Sequence, residues 1–233
     1  MRYPGLNLRH RSARAAIAVV AAAALTFALV STARPASART PSSSPTESAL
    51  VHRLRTCLAP GQAKPTVILV HGAWADGSSW RNEVATLQGA GFDVRAIANP
   101  LQNLTTDSQY VADYLKTING PVVLAGHSYG GSVITNAAAR LANVKRLVYV
   151  DAAAPAPGQT TAQLAGAGSV MMTKKPSQLF YTAANPDSPS AAPDLYLKEN
   201  IFVHNFANDL PASTAKIIWA SQRGSSTLSL IHI

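Results

Sequence analysis

A serine flanked by glycines, between a predicted strand and a predicted helix, constrains this chain more than any other feature. Residues 122–132 read VVLAGHSYGGS, an apolar run that leads into Gly126-His127-Ser128-Tyr129-Gly130 and then into small residues with helical spacing. A strand, a sharp turn and a helix in that order hold a serine hydroxyl clear of the backbone, on a turn that only small neighbours tolerate. The pattern predicts that Ser128 is a nucleophile. The alternative is a glycine-rich turn with a purely structural role.

The first 38 residues have the pattern of a secretory signal peptide. Four arginines precede an apolar run over residues 15–30, and Ala36-Ser37-Ala38 offers small residues at the two positions that signal cleavage requires. We expect cleavage after Ala38 and a secreted or extracytoplasmic protein with no stable membrane association. An uncleaved anchor is disfavoured because the run has 16 residues, short of the roughly 18 expected for a spanning helix.

The charge of the chain is partly a property of this leader. The whole chain is +9, but residues 1–38 hold five arginines and no acid, which leaves 15 basic and 11 acidic side chains, or +4. No Lys/Arg run or basic-aromatic alternation remains, so nucleic acid is not an expected partner. Asp, His and Cys show no metal-ligand spacing, and we expect neither a metal nor an organic cofactor. The single cysteine, Cys57, excludes an internal disulfide.

Residues 64–154 alternate between strand and helix patterns, after a flexible linker over residues 39–63. Strands are predicted at 66–70, 92–98, 122–127 and 146–150, and helices at 79–88, 106–118 and 132–143, the second opened by a capping box at Thr106 and Gln109. This alternation predicts a parallel α/β sheet, in which ligands bind at the carboxyl ends of the strands. His71, Ser128 and Asp151 all follow predicted strands, so we expect them at one edge of the sheet.

Residues 155–223 have a different character, because prolines and Ala/Gly/Ser-rich turns interrupt short apolar pieces. We predict helical pieces at 177–184, 194–205 and 212–222 and no strand. An insertion of this kind after a core strand is typical of a lid that covers a site.

Three segments together resemble the α/β-hydrolase superfamily: VILVHGAWADGSSW, AGHSYGG and RLVYVDA. More narrowly, they are similar to its small esterase branch, which includes salicylate-type methyl esterases and hydroxynitrile lyases. The resemblance covers about residues 64–223. It implies an α/β-hydrolase fold, a mostly parallel sheet flanked by helices, with a helical lid insertion.

The resemblance also implies roles for individual residues. Ser128 would be the nucleophile, and the backbone N–H groups of Ala73 and Tyr129 would form the oxyanion hole. Gly72 would let its loop approach the serine. His71, Gly72 and Trp74 would line the substrate pocket, and His127 would be structural.

The base that activates the serine is the difficulty. The order in the family is Ser, then an acid, then His, and only His204 and His232 follow Ser128. His204 lies in the lid-like stretch, and His232 lies in a tail, residues 224–233, that lacks the character of the family. Asp151 is a candidate acid. We therefore expect a C-terminally truncated chain that lacks its last two strands, with the strand at 146–150 left as an exposed edge.

The expected function is that of a secreted serine hydrolase, a carboxylesterase that acts on small esters through an acyl-enzyme on Ser128 and is incomplete in this chain. A lactonase, a cofactor-free haloperoxidase or a lyase would use the same turn. The alternative from another class is a non-catalytic α/β-hydrolase-like binding module or an inactive fragment.

Overall fold

The computed structural model describes residues 45–56, 61–154, 156, 158–159, 164, 168–188 and 191–231. The expected signal peptide with its cleavage site, His232 and residues 39–44 and 57–60 of the predicted linker, Cys57 among them, lie outside these residues, and the rest of that linker is described and contains a helix. The helices are α1 (Pro45–Thr56), α2 (Arg81–Gly89), α3 (Leu104–Lys116), α4 (Tyr129–Ala138), α5 (Val170–Thr173), α6 (Pro176–Leu179), α7 (Glu199–Ile201), α8 (Ala212–Ala220) and α9 (Thr227–Ile231). The strands are β1 (Thr66–Val70), β2 (Val94–Ile97), β3 (Val122–His127), β4 (Val144–Val150), β5 (Phe180–Ala183), β6 (Asp194–Leu197) and β7 (Ser225–Ser226).

The first four strands form the predicted parallel sheet, in the order β2-β1-β3-β4. Strand β1 is buried on both faces. Ile68 and Val70 pack into one core cluster, and Val67 and Leu69 pack into another. A strand buried on both faces reads as a continuous apolar run because neither side chain direction meets water. The register aligns the strand ends, with Val70 beside both Ile97 and Gly126.

Helices α3 and α4 cover one face of this sheet. Val111 and Leu115 of α3 and Val133 and Ile134 of α4 belong to the same fully buried cluster as the inward residues of β1. Helix α3 begins one turn earlier than predicted, because Asn103, rather than Thr106, is its N-cap and accepts a hydrogen bond from the Thr106 N–H at 3.0 Å.

Strand β4 lies at the edge of the four-stranded sheet, which confirms that part of the sequence prediction. Val148, Tyr149 and Val150 are 41%, 40% and 38% exposed. The apolar run of β4 resembles that of β1 in sequence. Within the part of the chain that the structure describes, however, other residues bury it only partly.

The prediction of helical pieces without a strand after residue 155 is wrong in two places. Residues Phe180–Ala183 and Asp194–Leu197 are the strands β5 and β6, which pair antiparallel and are joined by β7 in a second sheet of order β5-β6-β7. Each strand has only two to four residues, so its extended backbone is set by the partner strand more than by its own pattern. The helix predicted at 212–222 is present as α8.

The last described residues pack into the fold. Ser225, Ser226 and Ser229 are fully buried, and the Ser226 N–H donates to the Leu101 carbonyl at 2.8 Å. Within the described part of the chain, no helix is both long and apolar enough to cross a bilayer.

Candidate active site

Ser128 is the hinge between β3 and α4. Its backbone has φ 53° and ψ −125°, a conformation that residues other than glycine rarely adopt and that costs about 1–3 kcal/mol. Its carbonyl oxygen accepts hydrogen bonds from the N–H groups of Gly131 and Ala153, both at 3.0 Å. The surroundings therefore hold the serine in a strained turn with its side chain only partly buried.

The flanking glycines are required by contacts that no larger residue could make. A Cβ placed on Gly126 would collide with the carbonyl of Gly130, and one on Gly130 would lie 2.5 Å from the carbonyl oxygen of Val70. The turn is thus packed against its own next residues and against the end of β1. This close approach is the physical basis of the Gly-x-Ser-x-Gly pattern.

The loop after β1 lies directly against the serine. A Cβ built on Gly72 would be 2.7 Å from the Ser128 Cβ and 3.2 Å from its Oγ. The structure therefore brings Gly72 and Ser128 together, with Ala73 following in the same loop.

Tyr129 is the first residue of α4, so its N–H is one of the four that have no acceptor within the helix. The N-terminus of a helix also favours negative charge. A backbone N–H in this position, beside a serine that meets a second loop, can hold a developing oxyanion.

His71 is a structural residue of this loop. It is fully buried, its Nδ1 donates to the Gly72 carbonyl at 2.9 Å, and its Nε2 accepts from the Asn99 N–H at 2.9 Å. Burial lowers the pKa of the His71 imidazole, which keeps the ring neutral. Both ring nitrogens are hydrogen-bonded, so the ring fixes the loop against the end of β2, and it is fully buried rather than facing an open pocket as the resemblance implied.

Trp74 connects the loop to the second sheet. Its backbone has φ 57°, its Nε1–H donates to the Leu195 carbonyl at 3.0 Å, and its ring stacks on Phe180 with 5.6 Å between centroids. A cleft of about 140 Å³ beside it is lined in part by Ile217 and Ile218 of α8. Trp74 thus forms one wall of a small, partly apolar cleft at the border of the lid region.

Asp151 and His127 lie at the carboxyl ends of β4 and β3. Asp151 is exposed and has φ 39°. Burial lowers the pKa of His127, and the carboxylate of Asp151 partly opposes this shift. Among the residues that the structure describes, no histidine ring is hydrogen-bonded to Ser128, and His204 is exposed in a π-helical turn, Phe202–Phe206, that follows α7.

One buried carboxyl group near the turn at Ser128 was not predicted from the sequence. Asp107 on α3 is fully buried, and its Oδ2 accepts a hydrogen bond from the Tyr129 hydroxyl at 2.8 Å. The available signal was an acid in the first turn of a helix whose true N-cap is Asn103. No group of three or more metal-ligating side chains occurs in the described part of the chain.

Comparison with known families agrees with this geometry. The model of the alpha/beta hydrolase family matches residues 67–228. This chain belongs to the alpha/beta hydrolase family. The match covers the turn at Ser128, the loop after β1 and the second sheet, and it confirms the fold class that the sequence motifs predicted.

Two curated relatives are similar to this chain over part of their length. A carbendazim hydrolyzing esterase of Nocardioides sp. (strain SG-4G) is 38% identical over 108 residues, 40% of this chain and 44% of the relative. A putative chloroplastic methylesterase 11 of Arabidopsis thaliana is 28% identical over 169 residues, 64% of this chain and 43% of the relative. The chain thus spans less than half the length of these two relatives.

Solved structures share the fold. An extracellular alpha/beta-hydrolase from a Paenibacillus species, described as sharing structural and functional homology with tobacco salicylic acid binding protein 2, has a TM-score of 0.59 and 25% identity over 72% of this chain and 69% of that chain. Polyneuridine aldehyde esterase has a TM-score of 0.56 and 20% identity, over 70% of each chain.

Proposed function

We propose that this protein is a serine hydrolase that cleaves small carboxylic esters through an acyl-enzyme on Ser128. The observation that carries the proposal is the strained Ser128 at the end of β3, with Gly72 packed against its side chain. Both curated relatives named above are esterases by name, which supports an ester as the substrate class. The partner is then a small-molecule ester.

The proposed chemistry uses the Ser128 hydroxyl and two backbone N–H donors. The Oγ of Ser128 would attack the carbonyl carbon, and the carbonyl oxygen, now an oxyanion, would accept hydrogen bonds from the N–H groups of Ala73 and Tyr129. The serine proton would pass to a base and then to the departing alcohol as the ester C–O bond breaks. Water would then hydrolyse the acyl-serine by the same steps.

The base in this proposal is a histidine from outside the residues that the structure describes, and Asp151 is a candidate for the acid that orients it. Serine hydroxyls are poor nucleophiles without such a base. We also propose that the protein is exported, on the strength of the arginine-rich leader with small residues before Ala38. The extracellular Paenibacillus hydrolase is consistent with this location.

A non-catalytic binding module with the same fold is the second candidate. It is favoured by one observation, that no histidine is bonded to Ser128 within the described residues. The two candidates differ in whether Ser128 is needed for ester turnover.

The test is hydrolysis of p-nitrophenyl acetate and p-nitrophenyl butyrate by the purified protein and two variants. Ser128→Ala should lower kcat/KM by at least about a thousandfold, because it removes the nucleophile. Ser132→Ala is the matched control, since Ser132 is a fully buried serine of the following helix whose hydroxyl has no partner in the described structure. Equal hydrolysis by the parent and Ser128→Ala would refute the proposal, and hydrolysis by neither form above the rate in buffer would refute it and favour the binding module.

A further inference from the structure

A buried carboxylate is tied to the residue that follows the nucleophile. The Tyr129 hydroxyl donates to Asp107 Oδ2 at 2.8 Å, and the Gln102 N–H donates to Asp107 Oδ1 at 3.1 Å. Asp107 and Tyr129 are 0% and 1% exposed. Both oxygens of the carboxylate are therefore used, one toward α4 and one toward the loop before α3.

The electrostatics of this contact favour the Tyr129 phenol as the hydrogen-bond donor. Burial raises the pKa of Asp107, and hydrogen bonds from Gln102 and Tyr129 oppose that shift. Burial, followed by the charge of Asp107, raises the pKa of Tyr129. The phenol accordingly remains a donor, and Asp107 accepts within the first turn of α3, where the helix dipole favours a negative charge.

Tyr129 links its hydrogen bond with Asp107 to the proposed oxyanion hole. Its ring is enclosed by the cluster that includes Val111, Leu115 and Val133, and its Cα carries the N–H that the proposed oxyanion hole uses. A ring held at its hydroxyl by Asp107 and at its Cα by the strained Ser128 has little freedom to rotate. A displacement of about 1 Å at such a donor is enough to lower a rate by about two orders of magnitude.

We propose that Asp107 is a positioning residue of the esterase site, which acts through the Tyr129 hydroxyl to aim the Tyr129 N–H at the oxyanion. The inference rests on the proposed function, because it assigns a purpose to that N–H. Asp107 touches neither substrate nor Ser128 in this role. It fixes the start of α4 relative to the start of α3.

Kinetics of conservative variants test the proposal. Tyr129→Phe keeps the ring and removes the hydroxyl, and we expect kcat about tenfold lower with KM within about twofold, a fraction of the effect of deleting a whole oxyanion donor. The inhibition constant of a trifluoromethyl ketone, which binds as an oxyanion on the serine, should rise by the same factor. Tyr149→Phe is the control, because that hydroxyl also bonds to α4, at Thr135 Oγ1 and 2.8 Å, but far from its first residue.

A second variant separates positioning from folding. Tyr129→Phe leaves the Asp107 carboxylate buried with one partner fewer, which could destabilise the protein. The double variant Tyr129→Phe/Asp107→Asn replaces the buried carboxylate with a neutral amide whose oxygen still accepts from the Gln102 N–H, and it should fold more stably than Tyr129→Phe. We expect its kcat to stay about tenfold below that of the parent. A folded double variant with parental kcat would overturn the proposal.

Amide hydrogen exchange gives a readout that does not depend on turnover. Exchange over residues 128–131 should be at least about fivefold faster in Tyr129→Phe than in the parent and unchanged in Tyr149→Phe. Parental exchange in a folded Tyr129→Phe variant would overturn the positioning role. Faster exchange in a protein that hydrolyses no ester would instead refute the proposed function and retain Asp107 as the residue that fixes this turn.

Discussion

The contact between Gly72 and Ser128 makes Gly72→Ala the sharpest single perturbation of the site. A Cβ at this position would lie 2.7 Å from the Ser128 Cβ and 2.9 Å from the His127 carbonyl oxygen. The normal distance between non-bonded heavy atoms is about 3.5 Å or more. The loop must therefore withdraw from the serine by about 1 Å, because both neighbours belong to the rigid end of β3.

The magnitude follows from what the loop carries. Ala73 is the next residue, and withdrawal of the loop would move its N–H away from the oxyanion that the proposed function assigns to it. Loss of one such donor lowers kcat by about 10²–10³, so we expect kcat of Gly72→Ala to be about a hundredfold below that of the parent. Overpacking should also lower the free energy of unfolding by about 1–3 kcal/mol.

The assay pairs ester hydrolysis with urea unfolding at the same temperature. Gly89→Ala is the matched control, because Gly89 is the last residue of α2 and an added Cβ there meets nothing within 4 Å. It should keep parental kcat and stabilise the protein by up to about 1 kcal/mol. A folded Gly72→Ala variant with at least half of the parental kcat would refute the placement of this loop against the nucleophile.

Three further predictions concern the surrounding structure. The free energy of unfolding should fall as pH drops below about 6.5, since the pKa of buried His71 is lowered and the unfolded chain takes up a proton there first; His71→Gln should reduce that slope in urea titrations, and an unchanged slope would contradict this assignment. Trp74→Phe should cost about 1–3 kcal/mol, because it leaves the Leu195 carbonyl without its donor, and parental amide exchange in β6 would argue against that link. Val148→Lys on the exposed edge should change stability by less than about 0.5 kcal/mol and reduce light scattering on concentration; undiminished scattering would count against the edge as the source of association.

The parallel sheet and the elbow could be predicted because each leaves a local trace in the sequence. The run at Thr66–Val70 is apolar throughout since both faces of β1 are buried. Gly126 is needed by a contact within the turn itself, because an added Cβ would collide with the Gly130 carbonyl. Gly130 is needed because of the Val70 carbonyl at the end of β1, so the sequence shows this glycine but not the distant partner that requires it.

The second sheet and the buried charge could not be predicted in the same way. Phe180 pairs with Leu197 and Tyr181 with Tyr196, so the extended form of β5 depends on a strand more than ten residues away. Asp107 looks like any acid near the start of a helix until the partner hydroxyl, 22 residues further on, is placed beside it. The resemblance places His71 in the substrate pocket, whereas its ring is fully buried and accepts a hydrogen bond from the Asn99 N–H.

In the proposed mechanism, Ser128 carries the acyl group during ester hydrolysis. The most direct measurement is rapid-quench mass spectrometry of the protein mixed with p-nitrophenyl butyrate, followed by peptide mapping. We expect a burst of p-nitrophenol and one butyryl group on the peptide that contains Ser128, both absent in Ser128→Ala. Ester turnover with no acyl group on that peptide, or with the group on another residue, would contradict it.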